Sequence, residues 1–430
     1  MTKSALVRAI PEIEVATVSV RQSRAPSALA PKRPKRKAMG MISQTTASKY
    51  VSVEAKELAS ALKLANSIIE VRNTIPILND VRLNYGKKGL SVEATDLDLH
   101  ATIHVDEIEG AGTWSLCVPA RFLAAVATAA GTGWVHIEPA QVETKNEKTG
   151  ATSIRHSAEI RVGVASYTVE AHAPEDYPTI AGEKAGMVER FTNGHFALAL
   201  KKVSGCISTE ETRYYLNGVN WAATPGGRRM AATDGHRLAL CKYAANEDET
   251  AFNYIIPRKT VGVISQFLAN ADVEIFSVSN GNKIIDTVLE FKGPGLVLRS
   301  KLIDGTFPDI ERVIPKDTPH HIEIRTEEIL QAIRQATAIG GWRGSAIRLH
   351  GVSGRLHIEV KNVELGMAKV STSSEWPEGL TEIGVNSRYM ADMVKRCQGS
   401  ITLKLINNGN PISLADQDPE MTRLLMPMRV

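Results

Sequence analysis

Beyond residue 48, apolar and polar positions alternate in short strand-like runs, interrupted by six longer stretches at helical spacing. Leu58, Leu62, Ala65, Ile68 and Ile69 fall on one face of a helix that opens near Val53. Alternating runs follow at Asp80–Leu83, Leu90–Ala94 and Leu97–Val105, with Gly86 and Gly89 marking a turn. A second helix is predicted at Ala120–Ala130, and strands then reach Ala171 before Pro174 and Pro178 close the unit. The same order returns: a helix around His195–Cys206, hairpin strands, a helix running to Ala269, and strands through Leu302. It returns again with helices at Thr326–Ile339 and Ser387–Cys397, strands at Ala346–His350 and Arg355–Val360, and more strands from Ile401 onward. Three copies of helix, strands, helix, strands predict an α+β fold of three repeated domains.

Within this pattern Arg213–Leu240 is the most informative stretch. The runs Leu216–Ala222 and Arg229–Ala232 flank Thr224-Pro225-Gly226-Gly227, which is the chemistry of a β-hairpin turn. Thr233-Asp234-Gly235 follows as a second turn, since Asp bonds its own backbone and Gly supplies positive φ. Ala94-Thr95-Asp96 repeats Ala232-Thr233-Asp234, and the separation from Asp96 to Pro119 equals that from Asp234 to Pro257. Lys361-Asn362 stands where the other copies have Thr-Asp. A histidine after such a turn, here His236, fits either a packed structural side chain or a site residue.

Composition narrows the class. At 430 residues, 43% apolar and 23% charged, the chain reads as a soluble globular protein with several cores. The net charge of +4 is uneven: residues 1–48 hold nine Lys or Arg against two acids (+7), leaving 51−9=42 bases against 47−2=45 acids (−3). The leading arm, centred on Pro31-Lys32-Arg33-Pro34-Lys35-Arg36-Lys37, reads as a basic, disordered extension: a solvated tail, a nucleic-acid tether or a targeting address. Early bases without a following apolar stretch argue against a secretory signal. Cys117, Cys206, Cys241 and Cys397 stand far apart, so neither a metal site nor a disulfide framework is expected, and a reducing cytoplasm is the simplest home. No apolar run reaches membrane-spanning length. No phosphate-binding G-x-x-x-x-G-K-[ST] loop occurs, so no cofactor is expected and any ATP-driven step belongs to another protein.

The helices carry a directional charge. Their bases are Lys56, Lys63, Arg121, Lys201, Lys202, Arg258, Lys259, Arg334, Arg388, Lys395 and Arg396. Their acids are only Glu54, Glu57, Glu327, Glu328 and Asp392, although the body as a whole is slightly acidic. Six helices sharing one face would present a basic surface suited to duplex DNA held by its phosphates, without base reading.

At this point the motifs resemble a known family. Thr74-Ile75-Pro76-Ile77-Leu78, Arg213-Tyr214-Tyr215-Leu216-Asn217-Gly218, Ala232-Thr233-Asp234-Gly235-His236-Arg237-Leu238, Asp304-Gly305-Thr306-Phe307-Pro308-Asp309 and Met426-Pro427-Met428-Arg429-Val430 occur in that family's order. From about Lys49 to Val430 the chain resembles the β sliding clamp, the processivity subunit of bacterial DNA polymerase III. The resemblance implies clamp domains at 49–186, 187–316 and 317–430, with helices on the inner face and antiparallel sheets outside. It implies a head-to-tail homodimeric ring around double-stranded DNA, a non-catalytic role, and no metal or cofactor. The implied partners are the polymerase III alpha subunit, a clamp loader ATPase and other clamp-motif proteins, with no membrane.

Residue by residue, the resemblance places a partner-peptide pocket at Leu216, Thr233, Gly235, His236, Arg237, Leu238, Pro308, Arg312 and Val313. The tail residues Met426, Pro427, Met428 and Arg429 complete it. DNA contact falls to Arg72, Arg213, Tyr214 and Tyr215, with Lys201, Lys202, Arg258 and Lys259. The dimer contact sets Tyr167 and Val169 against Ala338 and Ile339, while the acidic cluster of the third domain is thinned to Glu364. Two other readings stay open: a specialised clamp paralogue, from a mobile element or replacing a drug-inhibited clamp, and a hydrolase using Asp234 and His236.

Overall fold

The structure, a computed structural model, describes residues 49–430 except 107, 146–151, 225–226, 244–250, 281–282 and 340–345. The readings of residues 1–48 as an extension and of Pro225-Gly226 as a turn lie outside the described residues.

Each repeat contributes two helices: α1 (Ala55–Ile68) and α2 (Ala120–Ala130), α3 (His195–Val203) and α4 (Arg258–Phe267), α5 (Thr326–Thr337) and α6 (Ser387–Val394). In α1 the buried side chains Leu58, Leu62, Ala65 and Ile68 recur every three or four residues, which turns one face onto the sheets. Pro119 and Pro257 stand immediately before α2 and α4, and Asn386 caps α6 by accepting from the Arg388 and Tyr389 amides at 3.0 and 3.1 Å.

The sheets do not respect the repeat boundaries. Every repeat folds as two half-sheets, four-stranded except for one of five strands in the first repeat, and neighbouring repeats fuse theirs edge to edge. Strand Leu296–Lys301 of the second repeat pairs with Leu99–Val105 of the first, making one eight-stranded sheet. Strand Arg237–Tyr243 pairs with Met421–Leu425 of the third repeat, making another. Among the described residues, two sheets are left without such a partner. The five-stranded sheet of the first repeat ends on strand Ala165–Ala171, and the four-stranded sheet of the third ends on Gly366–Glu375.

The helices lie side by side across these joins. α1 packs on α2 within the first repeat and on α4 of the second, and α3 packs on α4. Arg396, just past α6, donates to the Lys201 carbonyl in α3 at 3.2 Å, and α5 packs on α6. The helical layer therefore runs α2, α1, α4, α3, α6, α5. One core spans the first two repeats, around Trp221, Phe196 and Phe291, and the third repeat has its own around Ile329, Ile333 and Met390.

The repeat is visible hydrogen bond by hydrogen bond. Thr95 Oγ1 donates to the Leu99 carbonyl (2.9 Å), as Thr233 Oγ1 does to that of Arg237 (2.8 Å). Asp96 Oδ1 accepts from the Asp98 and Leu99 amides, and Asp234 Oδ1 from those of His236 and Arg237. Asn362 Oδ1 accepts from Glu364 and Leu365, so the amide takes the carboxylate's place in the third copy. The strand expected to begin at Leu97 begins at Leu99 instead. Leu97 sits in this turn at φ 81°, out of the extended region.

Candidate functional site

The turn Thr233–Arg237 forms one wall of a cavity of roughly 250 Å³ between the second and third repeats. Its floor is apolar: Leu216, Leu238, Ile310 and Leu424 are buried, and they belong to one cluster with Phe307. Val313 and Met426 form an apolar rim, 45% and 38% exposed. Thr233, Arg213 and Asp309 supply polar groups at the same opening. An apolar floor with a few polar groups at its mouth suits an extended peptide with apolar anchors.

The turn is held rigidly. Asp234 Oδ2 accepts from Arg237 Nε at 2.9 Å, and Arg237 reaches Asp392 of α6 at 3.5 Å while lying 4.7 Å from the Tyr389 ring centre. Gly235 adopts φ 87°, and Arg213 Nη1 stands 2.5 Å from where a Cβ would be. Arg213 itself donates to the Asp234 carbonyl (3.0 Å) and to Glu210 (2.8 Å). Both carboxylate oxygens of Asp234 are thus taken up by the turn, which leaves it poorly placed as a general base. His236 stacks on Tyr389, ring centres 5.6 Å apart, outside the cavity lining.

Of the expected pocket residues, the structure brings together Leu216, Thr233, Gly235, Arg237, Leu238, Pro308, Val313 and Met426. It does not bring the others to the lining. Arg312 is exposed and paired with Asp309 at 2.9 Å. Pro427, Met428 and Arg429 border a separate hollow beside Gly384, whose carbonyl accepts from the Met428 amide at 2.8 Å. Sequence reasoning missed Asp309, Ile310 and Leu424 as lining residues, and assigned Arg213 and Tyr215 to DNA alone. Leu424 gave no alternating signal, because on Met421–Leu425 it stands between Arg423 and Leu425 and all three are buried.

The residues expected at DNA divide into two groups. Arg72, Lys201, Tyr214 and Arg258 are exposed. Tyr214 meets Tyr215 edge to face at 5.8 Å, while Tyr215 turns into the cavity wall. Lys202 and Lys259 are tied to carboxylates of the adjoining repeats. Lys202 Nζ lies 2.7 Å from Asp418 and 3.3 Å from Glu420. Lys259 bonds Asp96 at 2.5 Å and also Glu70. Burial works against both ammonium charges, but these hydrogen bonds outweigh it and hold both above the ordinary lysine range. The other helix bases, Lys56, Lys63, Arg121, Arg334, Arg388, Lys395 and Arg396, are on the exposed face of the helical layer.

At the expected dimer contact, Tyr167 and Val169 are half-buried on the edge strand Ala165–Ala171, and Tyr167 packs on Phe122 of α2 at 5.8 Å. Ala338 and Ile339 follow α5, with Ala338 exposed. Burial pushes the thiols of Cys117 and Cys206 up to about 12, and those of Cys241 and Cys397 to about 11, so all four stay protonated at neutral pH. Among the described residues no cluster of three or more metal-ligating side chains occurs, and no helix is long and apolar enough to cross a membrane.

Comparison with known proteins gives a consistent answer along the chain. Residues 50–181 match the N-terminal domain of the DNA polymerase III beta subunit, 191–309 its central domain and 311–429 its C-terminal domain. The chain is 28% identical over 392 residues to the beta sliding clamp of Caulobacter vibrioides, covering 88% of this chain and 100% of that one. It is 26% identical over 385 residues to that of Pseudomonas aeruginosa, covering 89% and 100%. Among solved structures, the sliding clamp of Bartonella birtlesii bound to griselimycin aligns with TM-score 0.77 at 27% identity, over 89% of this chain and all of the other. A sliding clamp from Caulobacter crescentus aligns with TM-score 0.75 at 28% identity, with the same coverage.

Proposed function

The chain belongs to the DNA polymerase III beta subunit family, a family of non-catalytic sliding clamps, and on that premise we propose that it closes with a second copy around duplex DNA and tethers a polymerase there. The observation that carries this reading is the helical layer. Its six helices follow one another across the repeat boundaries and turn Lys56, Lys63, Arg121, Lys201, Arg258 and Arg334 outward from the sheets. Flexible bases over such a surface neutralise phosphates without fixing on any sequence.

Enclosure rather than affinity holds the DNA. Each good base-specific contact is worth about 1–3 kcal/mol and would pin the ring, so a surface of lysine and arginine tips serves sliding better. The cavity under the Thr233–Arg237 turn takes the peptide of a polymerase or another clamp-motif protein, with Leu216, Leu238, Ile310 and Leu424 burying its apolar anchors. A tethered polymerase rebinds at high effective concentration instead of diffusing away. Opening the ring falls to a separate ATP-driven loader.

The test is primer extension on a singly primed single-stranded circle with a polymerase and clamp loader of the family. Adding this chain lengthens the products formed in a single binding event. Unchanged product length, with the loader shown to be active on its own clamp, contradicts the reading.

A further inference from the structure

The two joins between repeats share one register and differ in what they bury. In the first, Ala101 stands opposite Leu298. In the second, Ala239, as far beyond Thr233 as Ala101 is beyond Thr95, stands opposite Arg423. Leu298 is fully buried in the core of the first two repeats. Arg423 is 3% exposed, so the second join buries a guanidinium where the first buries a leucine. A buried charge loses its hydration, a cost the leucine does not incur. Asp416 supplies one partner, accepting from Arg423 Nη1 at 2.9 Å, but Arg423 Nε has none among the described residues.

Arg423 and Leu424 are consecutive on one strand and leave opposite faces of the sheet. Leu424 belongs to the peptide cavity, whereas Arg423 lines a second cavity, of roughly 700 Å³, on the helix side of the same join. Lys201 and Lys202 of α3 form one wall, and Lys395 and Arg396, just past α6, form another. With Arg423 these make five bases against two lining acids, Asp416 and Asp418.

The two acids are spent on two of the bases: Asp416 on Arg423, and Asp418 on Lys202 at 2.7 Å. Lys201, Lys395 and Arg396 are exposed. Asp392 comes no nearer to Lys395 than 3.8 Å, and Arg396 is oriented by its bond to the Lys201 carbonyl. Bases at the end of a helix ordinarily offset its dipole, which accounts for Lys201 and Lys202 in the last turn of α3. It does not account for Arg423, which lies on a strand beneath them.

We propose that this cavity binds a small polyphosphate anion, free or as the phosphate chain of a nucleotide. Cations at the mouth and a guanidinium on the floor suit an elongated ligand carrying several charges, since arginine and lysine both bind phosphate oxygens through charge-assisted hydrogen bonds. The volume falls within the range of small-molecule sites, about 300–1,000 Å³. A duplex presents its phosphates on the outside of a wide cylinder, which meets exposed Lys201 and Lys395 but does not enter far enough to reach Arg423. The cavity lies within one chain, so the assignment stands whether or not the ring closes.

Titration calorimetry on the full chain at fixed ionic strength tests it, with inorganic triphosphate, a nucleoside triphosphate, sulfate and a short duplex as probes. Inorganic triphosphate should bind once per chain and about tenfold more tightly than sulfate. Arg423→Leu with Asp416→Asn gives the second join the leucine of the first and leaves the net charge unchanged, so lost affinity reports the cavity floor and not the overall field. It should weaken triphosphate about tenfold, the effect of one hydrogen bond to a charged group. Should that variant melt as an unfolded chain, Lys201→Gln with Lys395→Gln, both exposed, carries the test with the same expected loss. Tighter binding of the nucleoside triphosphate makes the ligand a nucleotide, and equal binding makes it the free anion. Triphosphate held no better than sulfate, or unaffected in a folded variant, overturns the proposal. So does a duplex that loses as much affinity as triphosphate in the Arg423 variant, because the ligand is then a DNA phosphate.

Discussion

Leu97 and Gly235 occupy the same place in two copies of one turn, at φ 81° and 87°, yet only one is glycine. The difference lies in what stands above them. Nothing forces a small residue at Leu97, but Arg213 lies across Gly235 and closes the wall of the peptide cavity. A non-glycine residue in left-handed backbone costs about 1–2 kcal/mol, and an added Cβ must also displace Arg213. Gly235→Ala should therefore lower stability by about 1–2 kcal/mol and weaken a clamp-motif peptide several-fold, read by thermal melts and fluorescence polarisation. Unchanged affinity would mean that the turn is not a wall of the binding site. At this scale the sequence was a partial guide. Leu216, Thr233, Leu238 and Met426 were legible because they sit in motifs, whereas Tyr215 and Arg213 share a motif whose two neighbours face different ways. Which way a side chain leaves a 3₁₀ turn depends on its packing partner, here Gly305 against Tyr215, and no local pattern encodes that.

At the scale of elements, periodicity located all six helices, with α2 matching its expected span. What periodicity could not supply was the pairing between repeats, since a strand's pattern says which face is buried but not which edge it meets. The same gap hid the division among the helix bases. Arg258 and Lys259 are adjacent at the start of α4, but Arg258 is free toward solvent while Lys259 bridges to Glu70 and Asp96 of the first repeat. Their alanine variants should separate. Lys259→Ala should cost about 1 kcal/mol in chemical denaturation, because two carboxylates lose their partner across the join. Arg258→Ala should leave stability within about 0.5 kcal/mol and lower the salt-dependence slope of DNA binding by about one unit. Equal effects on both readouts would show that the two bases play one role.

For the whole molecule, the arrangement has a single logic: among the described residues there are three double half-sheets in series, two joins between them, and one edge left at each end of the series. A chain of this kind either stops at one copy, runs on as a filament, or closes. The bases on the helical layer and the cavity between the second and third repeats gain their meaning only if it closes, because DNA is then enclosed while partners dock outside. The most direct measurement is retention on nicked circular DNA after loading, followed by gel filtration before and after cutting the circle once. The account predicts that the protein comigrates with the closed circle in high salt and is lost when the DNA is linearised, by sliding off the ends. Protein that leaves the uncut circle in high salt, or stays equally on linear DNA with open ends, would contradict it.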